Sequence, residues 1–311
     1  MVVFPELMEL VELVPNVSEG RSEAVMDDIA RAFARGEGIW LLDRHSDESH
    51  HRSVLTAVAE PGTLVEASTR LVERALSRID LRRHRGVHPR IGAVDVLPLV
   101  PLGGFSREGA KRLSTDVARR IAESFGIPVF LYAESALRPD NRELPRLRRG
   151  GFEALEARMA ASDLVPDYGP NRPHATAGAI AVGVRPLLIA FNVELATSAG
   201  AAARLIARRI RASGGGLPHL KALGFELSNP ARAQVSMNLT DYRVTSLEAA
   251  FDSVKREAAA LGVALARSEI VGLIPEGAAF DGMVEHLLLD RPPGILEQRM
   301  RDAGLPGTGA T

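Results

Sequence analysis

The densest group of titratable side chains in this sequence lies between residues 82 and 90. Two histidines and four arginines occur within these nine positions, in the order Arg82-Arg83-His84-Arg85-Gly86-Val87-His88-Pro89-Arg90. Histidine suits proton transfer near neutral pH, and the fork of an arginine matches the two oxygens of a carboxylate. The segment favours an acid/base group beside an anionic substrate. A solvated basic loop is the alternative that the residue types alone leave open.

The neighbouring residues predict how His88 is held. Gly86 and Pro89 disfavour a helix here, and the apolar run from Ala93 to Leu97 is typical of a strand. His88 is therefore expected on a loop just before a strand. Arg90 follows two positions later, so on an extended segment its side chain points to the same side as that of His88.

A metal site is the competing chemistry. Adjacent His50 and His51 would point to opposite sides of a strand, and the sequence has no H-E-x-x-H spacing. The spacing therefore disfavours metal catalysis, although the sequence contains these candidate ligands: His45, Asp47, His50, His51, His84 and His88.

The composition narrows the class of protein. The sequence has 38 Lys and Arg against 39 Asp and Glu, which gives no electrostatic reason to expect nucleic acid or an anionic membrane surface. It has no cysteine, which excludes disulfides and thiolate nucleophiles and fits a cytoplasmic protein. The start of the chain has no basic region before Glu6, so no signal peptide is expected. No apolar run approaches the ~20 residues of a membrane span.

The hydrophobic periodicity predicts the same order of elements twice. Apart from small insertions and an extra strand at the His88 loop, the order is strand, helix, strand, strand, helix, strand, and it restarts near Ala179. This is the order of a ferredoxin-like βαββαβ unit, so we predict an α+β fold with two ferredoxin-like α/β sandwich subdomains. The predicted boundaries are 1–180 for the N-terminal subdomain, 181–290 for the C-terminal subdomain and 291–311 for a tail. The last, Gly-rich residues are expected to be disordered.

Local signals refine this architecture. Ser18 or Ser22 can cap the first helix. Thr245 or Ser246 can start a later helix from Leu247 to Leu261, and Thr245 with Glu248 has the spacing of a capping box. Residues 136–165 interrupt the pattern with a long excursion, and such segments are more often functional than idle. The basic run within the excursion, residues 142–149, is expected to be a solvated face.

Six motifs together resemble one known family. The segment His84 to Asp95 reads H-x-G-x-H-P-R-x-G-A-x-D and resembles the signature loop of the glutamate formiminotransferase family. Further segments match that family's motifs in the same order, and the resemblance covers about residues 11–280. These segments are Val14-Pro15-Asn16-Val17-Ser18-Glu19-Gly20, Pro166-Asp167-Tyr168-Gly169-Pro170, Leu188-Ile189-Ala190-Phe191-Asn192, Gln234-Val235-Ser236-Met237-Asn238-Leu239 and Val271-Gly272-Leu273-Ile274-Pro275.

The resemblance implies an enzyme of one-carbon and histidine metabolism. Its reaction moves a formimino group from N-formimino-L-glutamate to N5 of tetrahydrofolate, the co-substrate, without a metal. His88 matches the family's acid/base histidine, which would take the proton from N5 and give it to the departing amine. The resemblance also implies a cytoplasmic homodimer with a ligand cleft between the subdomains. Because the sequence ends at Thr311, we expect a stand-alone transferase without the cyclodeaminase domain of bifunctional relatives.

The resemblance also suggests residues that bind the substrates. Arg90 is the first candidate for gripping a carboxylate of the amino-acid donor, Arg52 is the second, and His51 and Asp43 lie in the same predicted region. His51 stands where the family usually has Asn, and Asp43-Arg44-His45 replaces its D-x-D. The folate-binding segment corresponds to Gly169, Pro170, Asn171, Arg172, Pro173, His174, Ala175, Thr176, Ala177 and Gly178, for which an interdomain linker is the alternative interpretation.

Several alternatives stay open from the sequence. The donor can be a formyl rather than a formimino compound, or the chain can be a non-catalytic folate-binding homologue. A separate cyclodeaminase partner is equally undetermined. Gln234, Ser236 and Asn238 lie on one face of a predicted strand, where they face either solvent or a ligand cleft.

Overall fold

A computed structural model describes residues 8–228 and 231–307 of the chain. The described residues form two compact units: one runs to Arg185 and includes those from Met300 onward, and the other is Pro186–Arg299. Part of the Gly-rich end for which we predicted disorder, residues 308–311, lies outside the described residues, as does the segment before residue 8 on which the signal-peptide prediction rests. No helix in the described ranges is long and apolar enough to cross a membrane.

The first unit is built on a seven-stranded sheet. Its elements are β1 (Leu10–Leu13), β2 (Asn16–Val17), α1 (Glu23–Phe33), β3 (Ile39–Asp47), β4 (Arg52–Ala59), α2 (Leu64–Arg78), β5 (Val94–Leu102), α3 (Arg107–Phe125), β6 (Val129–Leu131), α4 (Leu144–Leu147), α5 (Gly151–Ala160) and β7 (Ile180–Val184). Strand β4 pairs with β3 on one side and with β1 and β2 on the other, and β5, β7 and β6 follow in that order. Only the pairings of β7 with β5 and with β6 are parallel within this described sheet.

Two apolar clusters lie on opposite faces of this sheet. Ile180, Val182 and Val184 of β7 belong to the cluster formed with α1, α2 and α3. Ala179 and Ala181 belong to the cluster formed with α4 and α5. Because alternate residues of a strand point to opposite faces, the excursion 136–165 forms a separate layer on the side of the sheet away from the three long helices.

The long helices begin and end where local chemistry predicts. Ser22, one of the two predicted caps, accepts a hydrogen bond from the Val25 backbone N–H at the start of α1. Ser106 accepts one from the Gly109 N–H at the start of α3, at 3.0 Å. Helix α3 ends at Gly126, whose φ of 62° is left-handed and favours glycine.

The second unit contains a four-stranded antiparallel sheet with the order β11-β8-β10-β9. Its elements are β8 (Ile189–Leu195), α6 (Gly200–Ile210), β9 (Leu220–Ser228), β10 (Ala231–Leu239), α7 (Leu247–Ala260), β11 (Leu265–Val271), β12 (Leu273–Ile274), α8 (Met283–His286) and β13 (Gly294–Ile295), followed by α9 (Leu296–Asp302). Phe191 and Val193 of β8 pack with α6 and α7 in one apolar core. The element order from β8 to β11 is strand, helix, strand, strand, helix, strand, as the periodicity predicts.

Of the two residues predicted to start α7, Ser246 is the cap, because its hydroxyl accepts from the Ala249 N–H at 3.1 Å. The predicted capping box of Thr245 and Glu248 is wrong, because the Thr245 hydroxyl donates to the Pro218 carbonyl. The Thr245 hydroxyl therefore binds a carbonyl that is distant in sequence, so it does not cap the helix. In addition, residues 179–192 are not one interrupted strand that opens the second half, because β7 pairs with β5 and β6 of the first sheet.

We predict that Gly224→Ala destabilises the second unit, because the α6 backbone lies directly over this residue of β9. A Cβ at Gly224 would lie 2.2 Å from the Arg204 backbone nitrogen and 2.3 Å from the Ala203 carbonyl carbon. The overpacking should lower the free energy of unfolding by about 3 kcal/mol. Gly62→Ala is the matched control, because a Cβ there meets no atom within 4 Å. Denaturant unfolding measures both variants, and wild-type stability of Gly224→Ala would contradict the prediction.

Candidate functional site

His88 lies between the end of α2 and the start of β5, on a segment without regular helix or strand, as predicted. Its Nδ1 is 2.8 Å from the Pro89 carbonyl oxygen. A carbonyl only accepts, so Nδ1 carries the proton of the neutral ring and Nε2 carries the lone pair. The tautomer therefore places the basic nitrogen on the side of the ring away from Pro89.

The surroundings of His88 keep its ring neutral. Burial lowers its pKa well below the usual value, and the charges of Arg52, Arg148 and His50 lower it further, whereas the bond to Pro89 raises it. At neutral pH the imidazole is therefore in the form that accepts a proton. This is the protonation state that a general base requires at the start of a reaction.

The loop is fixed by close backbone packing at Gly86. A Cβ on Gly86 would lie 2.3 Å from the His50 carbonyl oxygen. Val87 donates its N–H to the Ser49 carbonyl at 3.2 Å, and the rings of His50 and His88 meet edge to face with centroids 5.8 Å apart. The turn between β3 and β4 is therefore packed directly against the His88 loop.

A buried carboxylate organises the residues beside His88. Asp95 has no exposed surface and accepts hydrogen bonds from Arg52 Nη1 at 2.8 Å and from Arg148 Nη2. Its other oxygen accepts the Ile91 N–H at 2.8 Å, which ties the carboxylate to the end of the His88 loop. Burial alone would raise the pKa of Asp95, but Arg148, Arg52 and the Ile91 N–H together hold it below its usual value.

Arg52 is held from both sides. Its Nε and Nη2 donate to the Asn16 side-chain oxygen at 3.0 and 2.6 Å, and its Nη1 donates to Asp95. Burial lowers the pKa of Arg52 to about 10, with Arg148 acting in the same direction and Asp95 opposing them. Arg52 is thus a charged side chain that Asn16 and Asp95 hold in one orientation.

Arg148 is a residue of the site that no sequence pattern singled out. The basic run 142–149 was predicted to be a solvated face, and this holds for Arg149, which is 66% exposed and pairs with Asp163. The Arg148 side chain is only 12% exposed and points to Asp95. The signal that could have found it is its place in a long excursion, but no local pattern separates Arg148 from its neighbours.

Tyr132 is a second side chain that the sequence did not single out. It is buried at the end of β6, and burial raises the pKa of its hydroxyl. A hydrogen bond to Arg185 and the charge of Arg148 act in the opposite direction. Tyr132 is thus part of the same buried polar cluster as Asp95 and Arg148.

A second polar network supports the outer side of the loop. The carboxylate of Glu19 accepts three consecutive backbone N–H groups, those of residues 20–22, and lies 3.2 Å from His51 Nε2. Burial would raise the pKa of Glu19, but the His51 and backbone hydrogen bonds lower it to about 2. The His51 ring stacks on that of His84, with centroids 4.2 Å apart. Asn16 and Glu19 both belong to the recognised motif 14–20, which is the signal that could have placed them here.

Arg90 has a different partner from the predicted one. Its Nη1 and Nη2 each donate to a carboxylate oxygen of Glu153 at 2.8 Å, and its Nε donates to His84 Nδ1 at 2.9 Å. A substrate carboxylate can reach this fork only by displacing Glu153. The arrangement makes Arg90 a clamp between the His88 loop and α5.

The other predicted donor-binding residues are distributed differently. His51 lies against the outer side of the loop, where its Nδ1 is 3.1 Å from the Arg85 carbonyl oxygen. Asp43 lies on β3 opposite Thr56, four positions along β4 from Arg52, which corresponds to about 13 Å. The structure therefore brings Arg52 to His88 but leaves Asp43 farther along the sheet.

The predicted folate-binding segment, residues 169–178, ends beside the His88 loop. His174 and Gly178 exchange backbone hydrogen bonds of 2.8 and 2.9 Å, and His174 Nδ1 accepts the Ala177 N–H. Gly178 has a φ of 70°, and a Cβ there would lie 2.0 Å from the Ile91 carbonyl oxygen. The end of this segment is therefore a tight turn packed onto the backbone that follows His88.

The predicted polar stripe of β10, formed by Gln234, Ser236 and Asn238, is buried at one end and exposed at the other. Gln234 is fully buried and lies opposite Glu194 of β8 in the strand register, whereas Asn238 is exposed. Glu194 is itself buried and pairs with Arg267 and Arg232. The stripe is therefore part of a buried ionic network at one end only. Among the described residues, no group of three or more His, Asp or Glu side chains is arranged to hold a metal ion.

Comparison with known proteins identifies the two parts of the chain separately. Residues 10–185 match the family model described as the N-terminal subdomain of the formiminotransferase domain, and residues 190–287 match the model of the formiminotransferase domain. The gap between the two matches contains the division between the compact units.

Three relatives extend this similarity over most of the chain. A glutamate formimidoyltransferase of Streptococcus pyogenes is 42% identical over 275 residues, which cover 88% of this chain and 92% of the relative. One of Thermoplasma acidophilum is 42% identical over 300 residues, covering 95% and 99%. The formimidoyltransferase-cyclodeaminase of Mus musculus is 38% identical over 281 residues, covering 88% of this chain and 52% of the relative.

We predict that Asp95→Asn strongly destabilises the protein, because it leaves two buried guanidinium groups without their shared carboxylate. The free energy of unfolding should fall by about 3 kcal/mol or more. Asp163→Asn is the control: its carboxylate also pairs with Arg158 and Arg149, but its side chain is 31% exposed and in contact with solvent, so the loss of stability should be much smaller. Denaturant unfolding at pH 7 compares the two, and equal losses would contradict the buried role of Asp95.

We predict that stability falls as the pH drops from 6.5 towards 4. Burial lowers the pKa of His84 to about 4, with the charges of His51 and Arg90 assisting and a hydrogen bond to the His51 carbonyl opposing. Between these pH values His84 is protonated in the unfolded state and neutral in the folded state. The unfolded state therefore gains protons as the pH falls, and the stability present above pH 6.5 is lost. His84→Gln should flatten part of this decline in unfolding experiments. An equally steep decline in this variant would mean that His84 is not responsible.

Proposed function

The chain belongs to the formiminotransferase family, and from that premise we propose that it is a glutamate formimidoyltransferase. It would transfer the formimino group of N-formimino-L-glutamate to N5 of tetrahydrofolate, which serves as co-substrate. The observation that carries this proposal is a His88 whose Nδ1 is held by the Pro89 carbonyl and whose neutral form is favoured by burial and by the charges of Arg52 and Arg148.

His88 performs both proton transfers in this proposal. As N5 attacks the formimino carbon, His88 Nε2 accepts the N5 proton and the new carbon–nitrogen bond forms. The imidazolium then gives that proton to the amine of glutamate, and the old carbon–nitrogen bond breaks. The ring returns to its neutral state in each turnover, so one histidine serves as base and then as acid.

The cationic cluster supplies orientation. Arg52 stays charged at neutral pH and is locked between Asn16 and Asp95, so it can hold an anionic donor without rearranging. We assign Arg90 and His51 to positioning the His88 loop, because their polar groups face protein partners there. Asp43 has no assigned contact with the reacting atoms in this proposal.

Segment 169–178 is the proposed site for tetrahydrofolate. What supports it is the packing of Gly178 onto Ile91, which puts the end of the segment next to the loop that carries His88. A ferredoxin-like classification of both halves, a ligand cleft between them, a cytoplasmic location and a homodimer remain parts of the same proposal and come from the family resemblance.

We predict that His88→Gln lowers kcat by about 10²–10⁴-fold while leaving tetrahydrofolate binding nearly unchanged. His219→Asn is the control, because His219 is exposed and its positive φ suits asparagine. Formation of 5-formimino-tetrahydrofolate is measured with N-formimino-glutamate, and N-formyl-glutamate is offered in parallel to test the formyl alternative. Wild-type turnover by His88→Gln would remove His88 from the mechanism, and a wild type inactive with both donors would favour a non-catalytic homologue.

The same assay, run at a series of pH values, gives the pH dependence of wild-type turnover. Because the pKa of His88 lies well below the usual histidine value, activity of the wild type should persist below pH 6.5 and fall only at lower pH. The pH at which activity falls should therefore be lower than the near-neutral value that a histidine motif alone suggests.

A further inference from the structure

The buried charges beside His88 do not balance within the cluster. Arg52 and Arg148 both donate to Asp95, so two positive charges share one carboxylate. The charges that act on Arg52 are those of Asp95 and Arg148. Neutral His88 contributes no compensating charge. A buried site with one excess positive charge is costly unless an anion enters it.

Arg148 has a hydrogen-bond donor that such an anion could use. One end of its guanidinium donates to Asp95 through Nη2. Its Nε–H is buried and has no hydrogen-bond partner among the residues that the structure describes. A buried N–H without a partner is costly, and a ligand oxygen would satisfy it.

Arg90 differs from Arg148, because each of its three guanidinium nitrogens has a protein partner. Both terminal nitrogens of its fork are occupied by Glu153, and its Nε is occupied by His84. Of these two buried arginines, Arg148 is the one with a donor left to offer.

We propose that Arg148 binds a carboxylate of a substrate beside His88 and thereby selects anionic substrates. The identity of the substrates rests on the proposed function. The carboxylate can come from the amino-acid donor or from the glutamate tail of tetrahydrofolate, and the experiment separates these two sources. Arg148 thus acts as a substrate-binding residue delivered by the excursion, in addition to Arg52.

The test uses Arg148→Gln, which removes charge and fork, and Arg148→Lys, which keeps the charge alone. Arg149→Gln is the matched control, because Arg149 is the next residue and forms an exposed pair with Asp163. Arg148→Gln should raise KM for the substrate that supplies the carboxylate by about 10–100-fold, as expected for loss of a hydrogen bond to a charged group, with a smaller change in kcat. Arg148→Lys should fall between Arg148→Gln and wild type.

The substrate whose KM rises shows which molecule supplies the carboxylate. If it belongs to the donor, KM for N-formimino-glutamate rises in Arg148→Gln while KM for tetrahydrofolate does not. If it belongs to the folate tail, KM for tetrahydrofolate rises, and wild type discriminates against tetrahydropteroate, which lacks the tail. Unchanged KM values for both substrates in Arg148→Gln would overturn the inference.

The charge of Arg148 also acts on His88, whichever ligand Arg148 binds. The charges that face His88 are those of Arg52 from β4, Arg148 from the excursion and His50 from the turn before β4. Removing Arg148 removes one of the positive charges that oppose protonation of His88. The acidic limb of kcat/KM should therefore move to higher pH in Arg148→Gln and stay in place in Arg149→Gln.

Ligand binding separates this inference from the proposed reaction. Calorimetry would measure binding of L-glutamate and tetrahydrofolate to wild type and to each variant, without turnover. Weakened binding of either carboxylate ligand in Arg148→Gln supports the carboxylate site even if no donor is converted, in which case only the proposed function fails. Equal affinities in wild type and both Arg148 variants would overturn the site. Thermal unfolding checks folding, and Arg148→Lys carries the test if Arg148→Gln does not fold.

Discussion

The buried carboxylate of Asp95 is the contact on which the described site depends. It joins the Arg52 side chain of β4, the Arg148 side chain of the excursion and the Ile91 backbone after His88. These three segments are distant in sequence and would not otherwise share a fixed geometry. Because an isolated buried charge is unfavourable, Asp95 and its two arginines hold one another in place, and His88 inherits its position from them.

The same cluster sets the electrostatic properties of the site. Burial and the nearby positive charges keep His88 neutral, which favours a proton acceptor. The excess of guanidinium groups favours an anionic substrate. The proposed transfer of a formimino group from a carboxylate-bearing donor calls for a neutral base and a cationic binding surface, and one set of side chains supplies both.

The excursion 136–165 has two structural roles in the first unit. Its helices α4 and α5 pack their apolar residues, including Leu147 and Leu155, on the face of the sheet opposite the three long helices. Its polar residues Arg148 and Glu153 reach Asp95 and Arg90. The layer that covers this face of the sheet is thus also the source of the contacts that hold the His88 loop.

The sequence by itself determined the features that arise from neighbouring residues. The Ser22 cap of α1 and the loop position of His88 follow from capping chemistry and from the positions of Gly86 and Pro89. Only the tertiary structure decided which arginine has which partner. Arg90 meets a carboxylate 63 residues away, and Arg148 meets one 53 residues away. All arginines carry the same fork and charge, so their roles depend on the carboxylates that folding brings within reach, and no local pattern encodes that choice.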